Sequence, residues 1–151
     1  MKKRPLILLA LLTIILVLQF FRGELPDTSE DNPDDLISNH LIEDEVVGIL
    51  KSACYDCHSN ESIYPWYSYV APVSWLIIRD TRLGREELNF SEWNSFSKKR
   101  KLHKLEEMGE EVEEGEMPFK PYMITHAEAR LTDEQRSVLI AWSKSFAGSV
   151  Q

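Results

Sequence analysis

The chain opens on an apolar run, Leu6 to Phe21, interrupted only by Thr13 and Gln19 and preceded by Lys2, Lys3 and Arg4. A positive start followed by such a run has the form of an export signal. At ~1.5 Å per residue, a helix over this run spans ~24 Å. That is a little short of a ~30 Å hydrocarbon core, and flanking Lys and Arg can snorkel across the difference. No A-x-A-like cleavage site follows, because the exit reads Phe20-Phe21-Arg22-Gly23, and no cysteine is present there to take a lipid. The expectation is an uncleaved anchor within residues 1–23, its membrane segment at 5–22, with the positive end in the cytoplasm and the rest outside, on the periplasmic side. A cleaved signal peptide is the alternative.

Beyond it the pattern changes. Residues 24–35 hold Pro26, Pro33 and six acidic side chains, a composition that reads as a solvated tether. Residues 36–151 form the expected domain. Leu36, Ile37, Leu41, Ile42, Val46, Ile49 and Leu50 recur at helical spacing and predict one helix, capped by Asp34 or Asp35. Residues 59–72 read as an aromatic loop, through Tyr64, Pro65, Trp66, Tyr67 and Tyr69. Val73 to Leu88 reads as a helix with Trp75, Ile78 and Leu83 apolar. A further helix is predicted from an N-cap at Ser91, with Trp93, Phe96, Leu102, Leu105 and Met108 inward, broken at Gly115-Glu116-Met117-Pro118. Thr132-Asp133-Glu134-Gln135 has the form of a capping box. It starts a last helix with Val138, Leu139, Trp142 and Phe146 on one face and Gly148 as a stop. The first and last helices should pair, with Trp142 facing Val46 and Leu50. No alternating strand pattern is present, so the fold class is all-α.

Charge narrows the partners. The first 23 residues carry four basic side chains and no acidic one, which leaves 13 basic and 25 acidic residues and a formal net charge of −12 on the remainder. Nucleic-acid binding does not fit such a surface. Electrostatic steering of a basic partner does, as does plain solubility.

Cys54-Tyr55-Asp56-Cys57-His58 holds both cysteines of the chain and has the spacing that attaches a c-type haem. Two thiols three positions apart can add to the two vinyl groups of one porphyrin, and the adjoining imidazole lies under the iron. A zinc site would need a fourth ligand. A redox dithiol would be expected in a βαβ setting, and a disulfide is open outside the cytoplasm. The reading that uses all three side chains is one covalent haem c, with iron bound by His58.

A second axial ligand can come from Met108, Met117, Met123, His40, His103 or His126. Met108 and His103 lie in a helix crowded with charge, where a structural role suits them better than ligation. Met117 precedes Pro118, which disfavours helical geometry at the methionine. It should lie on an extended loop, free to set its sulfur over an iron, although methionine also fills core gaps.

The stretches Cys54 to Glu61, Tyr64-Pro-Trp-Tyr67, Pro72-Val-Ser-Trp75, Gly84-Arg85, Leu88 to Trp93, Glu116-Met-Pro118 and His126 to Leu131 together resemble the bacterial haem-binding domain family, small extracytoplasmic c-type haem proteins. The resemblance implies one covalent haem, a cytochrome c-like helical fold, Cys54, Cys57 and His58 as the attachment set, and Met117 as sixth ligand. Two functions follow as expectations. The first is an anchored electron-transfer cytochrome with His/Met ligation that docks an unidentified redox partner. The second is a haem sensor or peroxidase-like protein with an open sixth position, where His126 or Arg79 would supply polar groups. No Ser/His/Asp or paired-carboxylate arrangement suggests further catalytic chemistry.

Overall fold

A computed structural model describes residues 3–150. Met1, Lys2 and Gln151, which fall in the expected anchor and at the end of the expected domain, lie outside the described residues. All regular structure among the described residues is helical. Helix α1 (Lys3–Leu18) continues as a 3-10 turn to Phe21 and leaves its apolar side chains exposed along its length. Residues 24–35 are irregular and mostly exposed, yet they are bound down. The Ser29 N–H donates to the Asn60 carbonyl at 2.7 Å, the Tyr64 hydroxyl to Pro26, and the Arg85 guanidinium to Asp27.

The expected first helix is two. Helix α2 (Leu36–Asn39) is a single turn capped by the Asp35 carboxylate, and α3 (Asp44–Ala53) begins after an extended link. The break has a local cause. The Asn39 side chain donates to the carbonyls of Pro33 and Asp35, a competing bond that ends helices. Asp44 and Glu45 then favour a fresh N-terminus. Leu41, counted into the stripe from its spacing, lies in the link and is fully exposed at 104%.

Helix α4 (Tyr55–His58) is the motif turn, and α5 (Val73–Glu87) follows the aromatic loop, within which Trp66–Tyr69 make a 3-10 turn. On α5 Ile78 is buried as expected, whereas Trp75 and Leu83 face outward. Ser91 is not the N-cap of the next helix. It sits in a 3-10 segment (Phe90–Ser95) capped by Asn89, and Ser97 caps α6 (Lys98–Glu114). Trp93 and Phe96 therefore enter the core from before α6, not from its face. Gly115 closes α6 with φ +75°, a left-handed conformation that suits glycine.

Helix α7 (Tyr122–Thr125) is one turn. Helix α8 (Asp133–Ser149) starts from the capping box of Thr132 and Gln135 and runs one residue past Gly148. It packs mainly along α6 and more lightly on α3. The expected pairing with the first helical stretch exists but is secondary. The core gathers Val46, Ile49 and Leu50 from α3, Leu105 and Val112 from α6, and Leu139 and Trp142 from α8. Trp142 stacks on Phe146 at 5.0 Å.

Candidate functional site

The motif turn is pinned through its variable residues. The Tyr55 ring goes inward and stacks on Phe90 at 5.2 Å, and its hydroxyl donates to buried Asp35 at 3.0 Å. Burial and the neighbouring carboxylate raise the proton affinity of that phenol. Asp56 turns to the other side. Its carboxylate accepts from the Tyr122 hydroxyl at 2.7 Å and from the Ile63 N–H at 3.0 Å. With Tyr55 and Asp56 so held, the turn between them and His58 is closed by the Cys57 and His58 N–H groups, both donating to the Cys54 carbonyl. Sequence reasoning missed these anchors because the partners of Tyr55 and Asp56 lie 20 and 66 positions away.

Helix α5 lies directly against the motif at Gly84. A Cβ at that position would stand 2.7 Å from the Cys57 carbonyl oxygen, closer than real contacts allow. Glycine there is thus a packing requirement. The next residue, Arg85, donates to the Ser59 carbonyl at 2.8 Å and to the Ser62 hydroxyl at 2.9 Å, clamping the exit of the motif.

His58 has the arrangement of a metal-ligating imidazole. Its Nδ1 lies 3.0 Å from the Leu88 carbonyl oxygen. That contact favours a proton on Nδ1, which leaves Nε2 with its lone pair. Among the described residues Nε2 has no hydrogen-bond partner. Burial lowers the proton affinity of the ring and favours the neutral, ligating form.

Two largely apolar cavities open against the motif. One, of about 260 Å³, is lined by Cys54, His58, Leu88, Phe90, Met108, Val112, Met117 and Leu139, with Lys104 and Glu107 paired at 2.6 Å on its wall. The other, of about 430 Å³, is lined by Asp56, Cys57, Tyr64, Tyr67, Ser68, Arg79, Phe119, Tyr122 and His126. The loop of residues 117–121 contributes to both. Among the described residues the buried Ser68 hydroxyl finds no hydrogen-bond partner.

The ligand candidates divide between these spaces. Met117 shares the smaller cavity with His58, outside any helix as the proline argument predicts. Its backbone is held from both sides: the N–H donates to the Glu111 carbonyl at 3.0 Å, and the carbonyl accepts from Arg136 at 3.3 Å. Met108, expected on the inward face of its helix but not as a ligand, lines the same cavity. His126 is in the larger cavity instead, stacked on Tyr122 at 3.9 Å, and Arg79 is there too. Met123 lines neither cavity. His103 is exposed and pairs with Glu107, and His40 bonds Asn94.

Burial pushes the Cys54 thiol up to about 12 and the Cys57 thiol up to about 11. Neither is an activated thiolate of the kind that dithiol redox chemistry uses. Among the described residues no three His, Cys, Asp or Glu side chains converge as a metal cage. The donor set fits haem: an imidazole whose Nε2 is free among the described residues, a methionine lining the same apolar space, and two thiols, Cys54 on that space and Cys57 on the other.

A helical fold built around this donor set belongs to the class of small haem proteins. The family model of the haem-binding domain matches residues 13–145, and the chain belongs to that family. No curated protein and no solved structure matches it. Haem is accordingly the cofactor.

Proposed function

We propose that the chain is a mono-haem c-type protein, held on the periplasmic side of the cytoplasmic membrane by residues 5–22, that passes single electrons. The observation that carries this reading is the shared cavity: His58 and Met117 line one apolar space beside Cys54. The haem supplies the one-electron redox chemistry when bound. The chain supplies the rest. Cys54 and Cys57 would each give a thioether, the sulfur adding to one vinyl carbon and the thiol hydrogen to the other. His58 would offer Nε2 while the Leu88 carbonyl fixes its ring, and Met117 would offer its sulfur. Imidazole and thioether together raise the potential of an electron-transfer haem. The apolar lining excludes water, and the acidic surface would steer a basic redox partner. No residue is assigned a proton-transfer or nucleophilic role.

The ligand pair is tested by near-infrared spectroscopy of the oxidised protein. A sulfur-to-iron band is expected in the wild type. Met117→Ala should abolish it and open the reduced protein to carbon monoxide, and Met123→Ala should leave both unchanged. If the band survives Met117→Ala and disappears in Met108→Ala, the sixth ligand is Met108. Ready carbon monoxide binding by the wild type would instead favour an open sixth position, as in a sensor or peroxidase-like protein.

A further inference from the structure

The end of α1 is docked onto the domain. The Gln19 side chain pairs with the Ala71 backbone through two hydrogen bonds, of 3.0 and 3.1 Å. The Ser74 hydroxyl donates to the Arg22 carbonyl at 3.0 Å, and the Trp75 indole N–H donates to the Phe21 carbonyl at 2.7 Å. At Gly23, whose φ is +77°, a Cβ would stand 3.1 Å from the Ile78 side chain. Whatever depth Phe21 takes at the membrane, Trp75 takes the same depth to within a few ångströms.

The surface around this junction is apolar. Trp66 is 77% exposed, and Tyr69, Trp75 and Leu83 are also exposed, whereas Val73 and Leu76, open as well, belong to the wall of the larger cavity. Along α5, positions 75, 79, 82, 83 and 86 share one face at helical spacing, so Arg82, Glu86 and Arg79, the last paired with Asp80 at the rim of the larger cavity, lie beside Trp75 and Leu83. Tryptophan and tyrosine favour the membrane–water interface. A helix face of Trp and Leu beside Arg is the build of a segment that lies in the interface plane.

We propose that the face formed by Trp66, Tyr69 and the outer side of α5 rests on the lipid bilayer, so that the haem domain lies against the membrane in one fixed orientation. The proposal rests on the reading of residues 5–22 as an anchor. It adds that the domain does not sway on a free tether: residues 24–35 leave the junction already bound to the domain, and the lipid holds the adjoining face. The occupant is the bilayer because the junction places this face beside the anchor's exit.

The test is hydroxyl-radical footprinting of the full haem-loaded chain in nanodiscs of phosphatidylcholine and phosphatidylglycerol, at one chain per disc. Ile124 is the internal reference, since at 76% it is exposed as fully as Trp66. With each rate divided by the intrinsic reactivity of its residue type, Trp66, Tyr69, Trp75 and Leu83 should be labelled several-fold less than Ile124, and Leu83→Asp should raise labelling of Trp66 and Tyr69 toward the reference. Labelling of Trp66 as free as that of Ile124, in a chain that co-purifies with the discs, overturns the proposal and leaves the anchor standing. Protection found only in discs with two chains makes the occupant a second copy and overturns it as well. A chain that does not enter discs removes the anchor and the proposal together.

Discussion

The Tyr122 hydroxyl lies 2.7 Å from the Asp56 carboxylate, and this bond ties the middle of the Cys-x-x-Cys-His turn to the loop that carries Met117. The two proposed axial ligands come from segments far apart in the chain, so their separation depends on such cross-ties. The Asp56 carboxylate and burial both raise the proton affinity of Tyr122, which keeps the phenol a donor through the ordinary pH range.

Tyr122→Phe should therefore loosen the methionine loop without removing any ligand. A hydrogen bond to a charged group contributes about 1.5–3 kcal/mol, and this half-buried one belongs at the lower end. The loss should appear in urea denaturation of the haem-loaded protein, together with faster binding of added imidazole to the oxidised protein. An unchanged imidazole rate would show that the loop is held by other means, for which the Arg136 contacts are the next candidates.

Gly84→Ala should damage the site, because the added methyl would meet the Cys57 carbonyl. Overpacking of this kind costs about 1–3 kcal/mol, and haem content per chain should fall. Gly48 is the control. It lies within α3 with nothing inside 4 Å of an added Cβ, so Gly48→Ala should stabilise by about 0.5–1 kcal/mol. Equal effects at the two sites would contradict the packing argument.

Trp142→Ala should cost about 3–5 kcal/mol, since the ring is buried in the core and stacks on Phe146. Thermal or denaturant unfolding measures this directly. A loss well under 1 kcal/mol would mean that the docking of α8 does not depend on this ring.

Helix α6 runs against its own dipole, with Lys98 to Lys101 at its start and Glu110 to Glu114 at its end. Glu113→Lys, at an exposed position of the last turn, should stabilise the helix by about 0.3–1 kcal/mol at low salt. Measured stability that falls would assign Glu113 a favourable partner not visible in the fold.

The parts of this fold legible in the sequence are those fixed by short-range chemistry. The capping box at Thr132, the left-handed stop at Gly115 and the turn holding Cys54, Cys57 and His58 each depend on residues a few positions apart. The split between α2 and α3 was hidden because Leu41 fits a helical stripe by spacing while Asn39 bonds back to Asp35 and ends the turn. Met108 reads as inward-facing beside Leu105 but not as a ligand, because charge crowds its helix, and the fold sets it with Leu105 and Val112 on the face that lines the interior. His126 stands behind Met117 as a candidate ligand in the sequence, and the tertiary fold parts the two by stacking His126 on Tyr122 in the other cavity. Asp35 reads as a helix cap and is one, but its bond to Tyr55, like that of Asp56 to Tyr122, depends on a tyrosine brought close by the fold.

The central claim is that Cys54 and Cys57 hold the haem covalently, and the most direct measurement is the mass of the denatured chain after expression with a haem c maturation system. The expected result is one haem added to the polypeptide and retained through denaturing electrophoresis with haem staining, with retention weakened in Cys54→Ala and in Cys57→Ala. A fully matured wild-type chain that binds haem when folded but runs at its bare polypeptide mass after denaturation would contradict the account.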